Sequence, residues 1–197
     1  MKALREARYW VFDMDGTLTL AVHDFPAIKR ALGIPEEDDI LHHLAALPAD
    51  EAAAKHAWLL EHERELAVAS RPAPGAIELV RELSERGCQL GILTRNAHEL
   101  ALLTLQAIGL DDCFARADIL GRDEAPPKPH PGGLLHLAQR WAVAAQDLVM
   151  VGDYRFDLEC AQAAGARGVL VNLPDNPWPE LTELHAQDCA QLLAQLR

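Results

Sequence analysis

Apolar positions along the chain fall into two alternating regimes. "RYWVFD" (8–13) is an unbroken apolar, aromatic-rich run that ends at Asp13, which predicts a short buried strand. "CQLGILT" (88–94), "DLVMVGD" (147–153) and "RGVLVN" predict three more, and "CFARADI" a weaker one. Between them the apolar residues return every three or four positions. This predicts helices over "GAIELVRELSERG", "AHELALLTLQAIG", "GGLLHLAQRWAV" and "LECAQAAG". Asn96 could cap the second of these, with Glu99 three residues later completing a capping box. The tail holds a Pro-broken loop and one or two helices. Strands alternating with helices imply a parallel sheet covered on both faces, a doubly wound α/β architecture.

One stretch departs from this alternation. Residues 20–70 are rich in Ala, Leu, His and Glu and contain no strand-like run. "DFPAIKRALG" reads as a helix capped by Asp24 and closed by Gly33, and "PEEDDILHHLAAL" and "ADEAAAKHAWLLEHERELAVAS" as two more. "RPAPG" (71–75) is a stiff return. The expected organisation is an α/β core from 1–19 plus 72–197, with a small α-helical cap inserted at 20–71.

Composition narrows the function classes. Half of the 197 residues are hydrophobic, which supplies a core and excludes disorder. Thirty acids against 18 Lys+Arg give a net charge of −12, which argues against nucleic acid or an anionic membrane as partner. No apolar run approaches a membrane span, and "MKALREARYW" has no signal-peptide core. Cys88, Cys113, Cys160 and Cys189 lack metal-type spacing and are expected to be reduced thiols, so a cytoplasmic protein is expected.

The candidate chemistry gathers at the strand ends. In open parallel sheets, ligands bind at the carboxyl ends of the strands near the switch in strand order. Asp13 and Asp15 close the first strand, Thr94 the second, and Asp153 the fourth, while Lys128 sits on the loop leading toward it. Two unit charges about 5 Å apart repel by roughly 3 kcal/mol at an effective dielectric of 20. Three converging carboxylates are therefore expected to share a divalent cation, and hard oxygen ligands beside phosphate and water suit Mg²⁺.

"DMDGT" (13–17), "LTRN" (93–96), "PKPHP" (127–131) and "GDYRFD" (152–157) together resemble, in order and spacing, the four motifs of the haloacid dehalogenase superfamily. The insert resembles the helical cap of its phosphoglycolate-phosphatase-like members. The resemblance implies a Rossmann-like core and a Mg²⁺-dependent phosphatase acting on a small phosphorylated metabolite. In that reading Asp13 resembles the nucleophile that forms an aspartyl-phosphate, and Asp15 the general acid and base. Thr94, with backbone amides after it, resembles the phosphate-binding hydroxyl. Arg95 and Asn96 lie beside it, although Arg95 could point away. Gly16 would let the backbone pass under the phosphate, and Thr17 would hold that turn locally. Lys128 would bridge nucleophile and phosphoryl group. Asp153 resembles the Mg²⁺ ligand, with Asp13 and the backbone carbonyl of Asp15. Asp157 would orient Lys128 or a metal-bound water, cap the helix after it, or do both.

Alternative readings remain at this point. A sugar phosphomutase would use the same core, and a binding or regulatory protein could keep the fold without turnover. A dehalogenase is disfavoured, because such members lack the second aspartate and this chain has Asp15. His23 and His130 are candidate substrate contacts. His42, His43, His56 and His62 lack a shared helix face and are expected to be solvated or packed, and Trp58 is expected in the core.

Overall fold

A computed structural model describes residues 2–21 and 24–197. Six parallel strands form one sheet: β1 (Tyr9–Phe12), β2 (Gln89–Leu93), β3 (Ile119–Leu120), β4 (Leu148–Gly152), β5 (Arg167–Leu170) and β6 (Leu184–His185). Their spatial order is β3-β2-β1-β4-β5-β6. The chain winds outward from β1 through β2 to β3, then restarts on the other side of β1 with β4. The switch in strand order lies between β1 and β4, which pair in register from Tyr9–Leu148 to Phe12–Val151.

Strand alternation sends successive residues to opposite faces. Trp10, Phe12, Val149 and Val151 enter one hydrophobic cluster, while Val11, Leu148 and Met150 enter another. The first is covered by α5 (Ala76–Glu85), α6 (His98–Ala107) and α9 (Cys189–Leu196), the second by α7 (Gly132–Arg140) and α8 (Arg155–Ala164). A four-residue helix, α1 (Lys2–Arg5), precedes β1.

Between Thr19 and Pro72 the chain leaves the sheet. Its two crossing segments are tied to each other, with the Leu20 amide donating to the Arg71 carbonyl at 2.9 Å and the Ala73 amide to the Leu18 carbonyl at 2.9 Å. Three helices lie beyond this tie: α2 (Phe25–Leu32), α3 (Ile40–Ala45) and α4 (Ala49–Val68). They have their own apolar cluster, built on Ile28, Leu32, Ile34, Leu44 and Leu59. Asp24 caps α2 by accepting from the Ala27 amide at 2.9 Å, and Gly33 ends it at φ 64°, as the sequence pattern predicts. Helix α4 rests on α6 through Ala67, Ala97 and Leu100. A largely buried ion pair, Glu63 with Arg122 at 3.0 Å, joins it to the loop after β3. Among the described residues no helix is long and apolar enough to cross a membrane. All four cysteines are free.

Four local expectations are corrected. "CFARADI" gives strand only at Ile119–Leu120. Asp118, just before it, is buried and accepts from Gln89 and Arg140 at 2.7 Å each, so the chain turns there rather than extending. The tail contains an edge strand, β6, too short to show a period in sequence. Asn96 does not cap α6: the residue before that helix is Ala97, and the Asn96 side chain points into the strand-end mouth. Trp58 is 42% exposed and stacks on His62 with ring centroids 5.2 Å apart, so it is not a core residue.

Candidate active site

Strands β2, β1, β4 and β5, neighbours in the sheet, deliver polar groups to the same end of it. After β1, Asp13 and Asp15 point to the mouth while the intervening Met14 is fully buried in the main cluster. That alternation lets two carboxylates project together without exposing the core. The Lys128 ammonium donates to Asp13 Oδ1 at 2.5 Å and to Asp157 Oδ1 at 2.6 Å. Burial alone would pull this ammonium down, but the charges of Asp13 and Asp157 outweigh it and hold it above the usual lysine range.

Asp157 serves two partners, because its Oδ2 also accepts from the Tyr154 amide at 3.0 Å. Tyr154 is the N-cap of α8 and Asp157 its third residue, so the carboxylate braces the helix start as well as Lys128. A Cβ on Gly152 would stand 2.2 Å from Asp157 Cγ, so only glycine lets the strand pass beneath that carboxylate.

Gly16 has φ +84°, and a Cβ there would meet Asp153 Oδ2 at 2.4 Å. Its close neighbour is thus the Asp153 carboxylate. Thr17 is not the local turn hydroxyl that the sequence suggested. It is fully buried and donates across the switch point to Asp153 Oδ1 at 2.8 Å.

Asp15 has a different setting from Asp13. Its Oδ2 accepts from the neutral Asn96 amide at 2.7 Å, and burial followed by the charge of Asp13 pushes it up to about 7. Burial, then Asp13 and Asp157, push Asp153 up to about 7 as well. Burial raises Asp157 to about 6 against the pull of Lys128. Asp13, Asp153 and Asp157 each offer an oxygen within 4.8 Å of the others, a set that could hold a metal ion. The Asp15 carboxylate is not in this set.

Thr94 is buried, and its hydroxyl accepts from the Asn96 amide at 3.1 Å. Arg95 faces the mouth, where it donates to Asp39 at the start of α3 at 2.5 Å and lies 5.3 Å from the Phe156 ring centroid. His130 is exposed and its Nδ1 accepts from the Gly132 amide, so it shapes its own turn. His43 pairs with Asp38 at 2.8 Å. His23 lies outside the described residues.

Asn172, just after β5, escaped the sequence reading. Its Nδ2 donates to the carbonyls of Gly16 and Thr17 at 2.7 and 2.8 Å, pinning the loop that carries Asp15. An Asn at the end of a predicted strand was the available signal.

A buried lysine among carboxylates, at the switch point of a doubly wound sheet, marks an α/β enzyme. Residues 8–165 match the family model described as haloacid dehalogenase-like hydrolase, and the chain belongs to that family. It is 30% identical over 202 residues to an uncharacterised hydrolase of Saccharomyces cerevisiae, covering 98% of this chain and 92% of the relative. It is 29% identical over 192 residues to the phosphoglycolate phosphatase of Neisseria meningitidis, covering 85% and 81%. The crystal structure of a hydrolase from Pseudomonas syringae shares the fold, with a TM-score of 0.77 at 24% identity over 95% of this chain and 97% of that one.

Proposed function

We propose that this hydrolase is a Mg²⁺-dependent phosphatase that cleaves a small phosphomonoester through an aspartyl-phosphate on Asp13. The observation that carries the reading is the unequal setting of the two acids after β1. Asp13 faces an ammonium, and Asp15 faces a neutral amide with its proton affinity raised to about 7. Environments that split a carboxylate pair in this way assign the roles of nucleophile and acid. The similarity to a phosphoglycolate phosphatase supports phosphate-ester chemistry.

A carboxylate oxygen of Asp13 attacks phosphorus, and the bond from phosphorus to the leaving oxygen breaks. The Asp15 proton passes to that oxygen, so an alcohol departs. Asp15, now ionised, takes a proton from water, which attacks phosphorus and releases Asp13. Thr94 and Lys128 bind the phosphoryl oxygens throughout. The donor set fits Mg²⁺: hard carboxylate oxygens crowd together, and Asp153 carries repulsion that Lys128 only partly offsets. Asp13, Asp153 and the Asp15 carbonyl would hold the ion, which supplies charge compensation for the phosphate. Residues 20–71 act in this reading as a cap over the mouth, in a cytosolic enzyme with reduced thiols.

The test is a panel of phosphomonoesters assayed with Mg²⁺ and with chelator, using wild type and Asp13→Asn. Phosphate release that needs Mg²⁺ and vanishes in the variant is expected. Undiminished turnover by Asp13→Asn would refute the mechanism.

A further inference from the structure

The cleft above the carboxylates is about 550 Å³, within the range of roughly 300–1,000 Å³ typical of metabolite pockets. This is generous for a phosphate carrying only two carbons. Besides the strand-end residues, it is lined by Phe25, Ile40, Leu41 and Phe156, with the buried Ile28 and Leu59. Most of the charged groups lining the cleft around them already have partners. Glu63 is paired with Arg122 at 3.0 Å and Asp38 with His43 at 2.8 Å, and Glu37 and Asp39 line the cleft with Lys29 and Arg95. Arg95 is already engaged by Asp39 at 2.5 Å, and Lys29 donates to the Glu36 carbonyl at 2.5 Å. A second anion on the substrate would have to take Arg95 from Asp39.

We propose that this enzyme selects a phosphomonoester whose leaving group is uncharged and apolar-faced, and that the Arg95–Asp39 pair discriminates against substrates bearing a second anionic group. The proposal rests on the phosphatase reading and adds the substrate class to it. The apolar wall gives the leaving group its binding energy through area removed from water. Neutralisation of Arg95 removes the group best shaped to grip a carboxylate. Asp39 does this without strain on its helix, because it also caps α3 by accepting from the His42 amide at 3.0 Å.

The decisive comparison uses benzyl phosphate and phosphoglycolate with the Mg²⁺-loaded enzyme. Both release a primary alcohol, so leaving-group chemistry is matched and the organic group decides. The expected kcat/KM for benzyl phosphate exceeds that for phosphoglycolate by at least tenfold. Asp39→Asn keeps a capping oxygen and frees Arg95, so the ratio should move toward phosphoglycolate by at least fivefold. Leu41→Asp, at a half-exposed position outside the apolar cluster of α2–α4, should lower the benzyl phosphate value at least fivefold, with thermal melts confirming folding. Preference for phosphoglycolate in the wild type, or a ratio unmoved by Asp39→Asn, would overturn the proposal while leaving the phosphatase reading intact. Hydrolysis of neither ester would overturn the proposal, and the phosphatase reading would then be decided by the wider panel of phosphomonoesters.

Discussion

Asn172 offers the sharpest test of how the site is held together. Its backbone is left-handed at φ 61°, a conformation that asparagine tolerates better than most residues. Both hydrogens of its amide are committed, to Gly16 O at 2.7 Å and Thr17 O at 2.8 Å. Asn172→Gly keeps the backbone accessible and removes both bonds, each worth about 1 kcal/mol net, so a loss of about 2 kcal/mol is expected. Asn172→Asp is nearly isosteric but turns an oxygen toward the two carbonyls. It replaces two attractions with repulsions, and about 3 kcal/mol is expected. For a chain of this length, 1 kcal/mol moves the melting temperature by roughly 2–4 °C. Glycine should therefore cost about 4–8 °C and aspartate about 6–12 °C, read by differential scanning calorimetry in chelator. Because Thr17 positions Asp153, kcat should fall in both variants. If both melt within about 2 °C of wild type, the side chain is there only to suit the backbone angle and the reasoning fails.

Two other consequences are direct. Thr17→Val preserves shape in a fully buried slot but removes the donor to Asp153. Loss of such an orienting bond should raise the Mg²⁺ concentration for half-maximal activity by roughly tenfold, and a Mg²⁺ titration that overlays wild type would refute the role. Burial pushes the thiols of Cys160 and Cys189 up to about 12, so neither carries appreciable thiolate at neutral pH. A thiol-reactive chromogenic disulfide should label at most two cysteines in the native protein at pH 7.5, and all four after denaturation. Rapid native labelling of a third would contradict the packing.

The strand-end residues were legible in sequence because a buried strand tolerates polar groups only where it stops. Asp13, Thr94 and Asp153 therefore stand out against the apolar runs before them. The partners that tune them were not, since those partnerships are long-range. Asn96 three residues before Glu99 satisfies a local capping rule, yet the side chain bonds Asp15, 81 positions away, while Glu99 pairs with Arg64 at 2.8 Å. A local alternative loses when a buried acid elsewhere needs a donor. Thr17 likewise bonds across 136 positions. The edge strand β6 has two residues and exists through its pairing with β5, so no period within it could announce it.

The sheet order explains why so few residues suffice. Strands β2, β1, β4 and β5 are consecutive neighbours in space, although their sequence order is interrupted at the switch point. Each ends at the same mouth and contributes one kind of group. From β2 comes a hydroxyl with an amide, from β1 two acids, from β4 a third acid, and from β5 the amide that fixes the loop between them. Lys128 enters from the loop before α7 and meets β1's first acid and the Asp157 of α8. Without that cation, Asp13 would stand beside Asp153 and Asp157 with nothing to separate its role from Asp15. The ammonium bonds Asp13, whereas Asp15 accepts from Asn96 and is pushed up to about 7 by burial and then by the charge of Asp13. The division of labour in the proposed reaction is therefore set by which neighbouring loop reaches each carboxylate, two residues apart on one strand end.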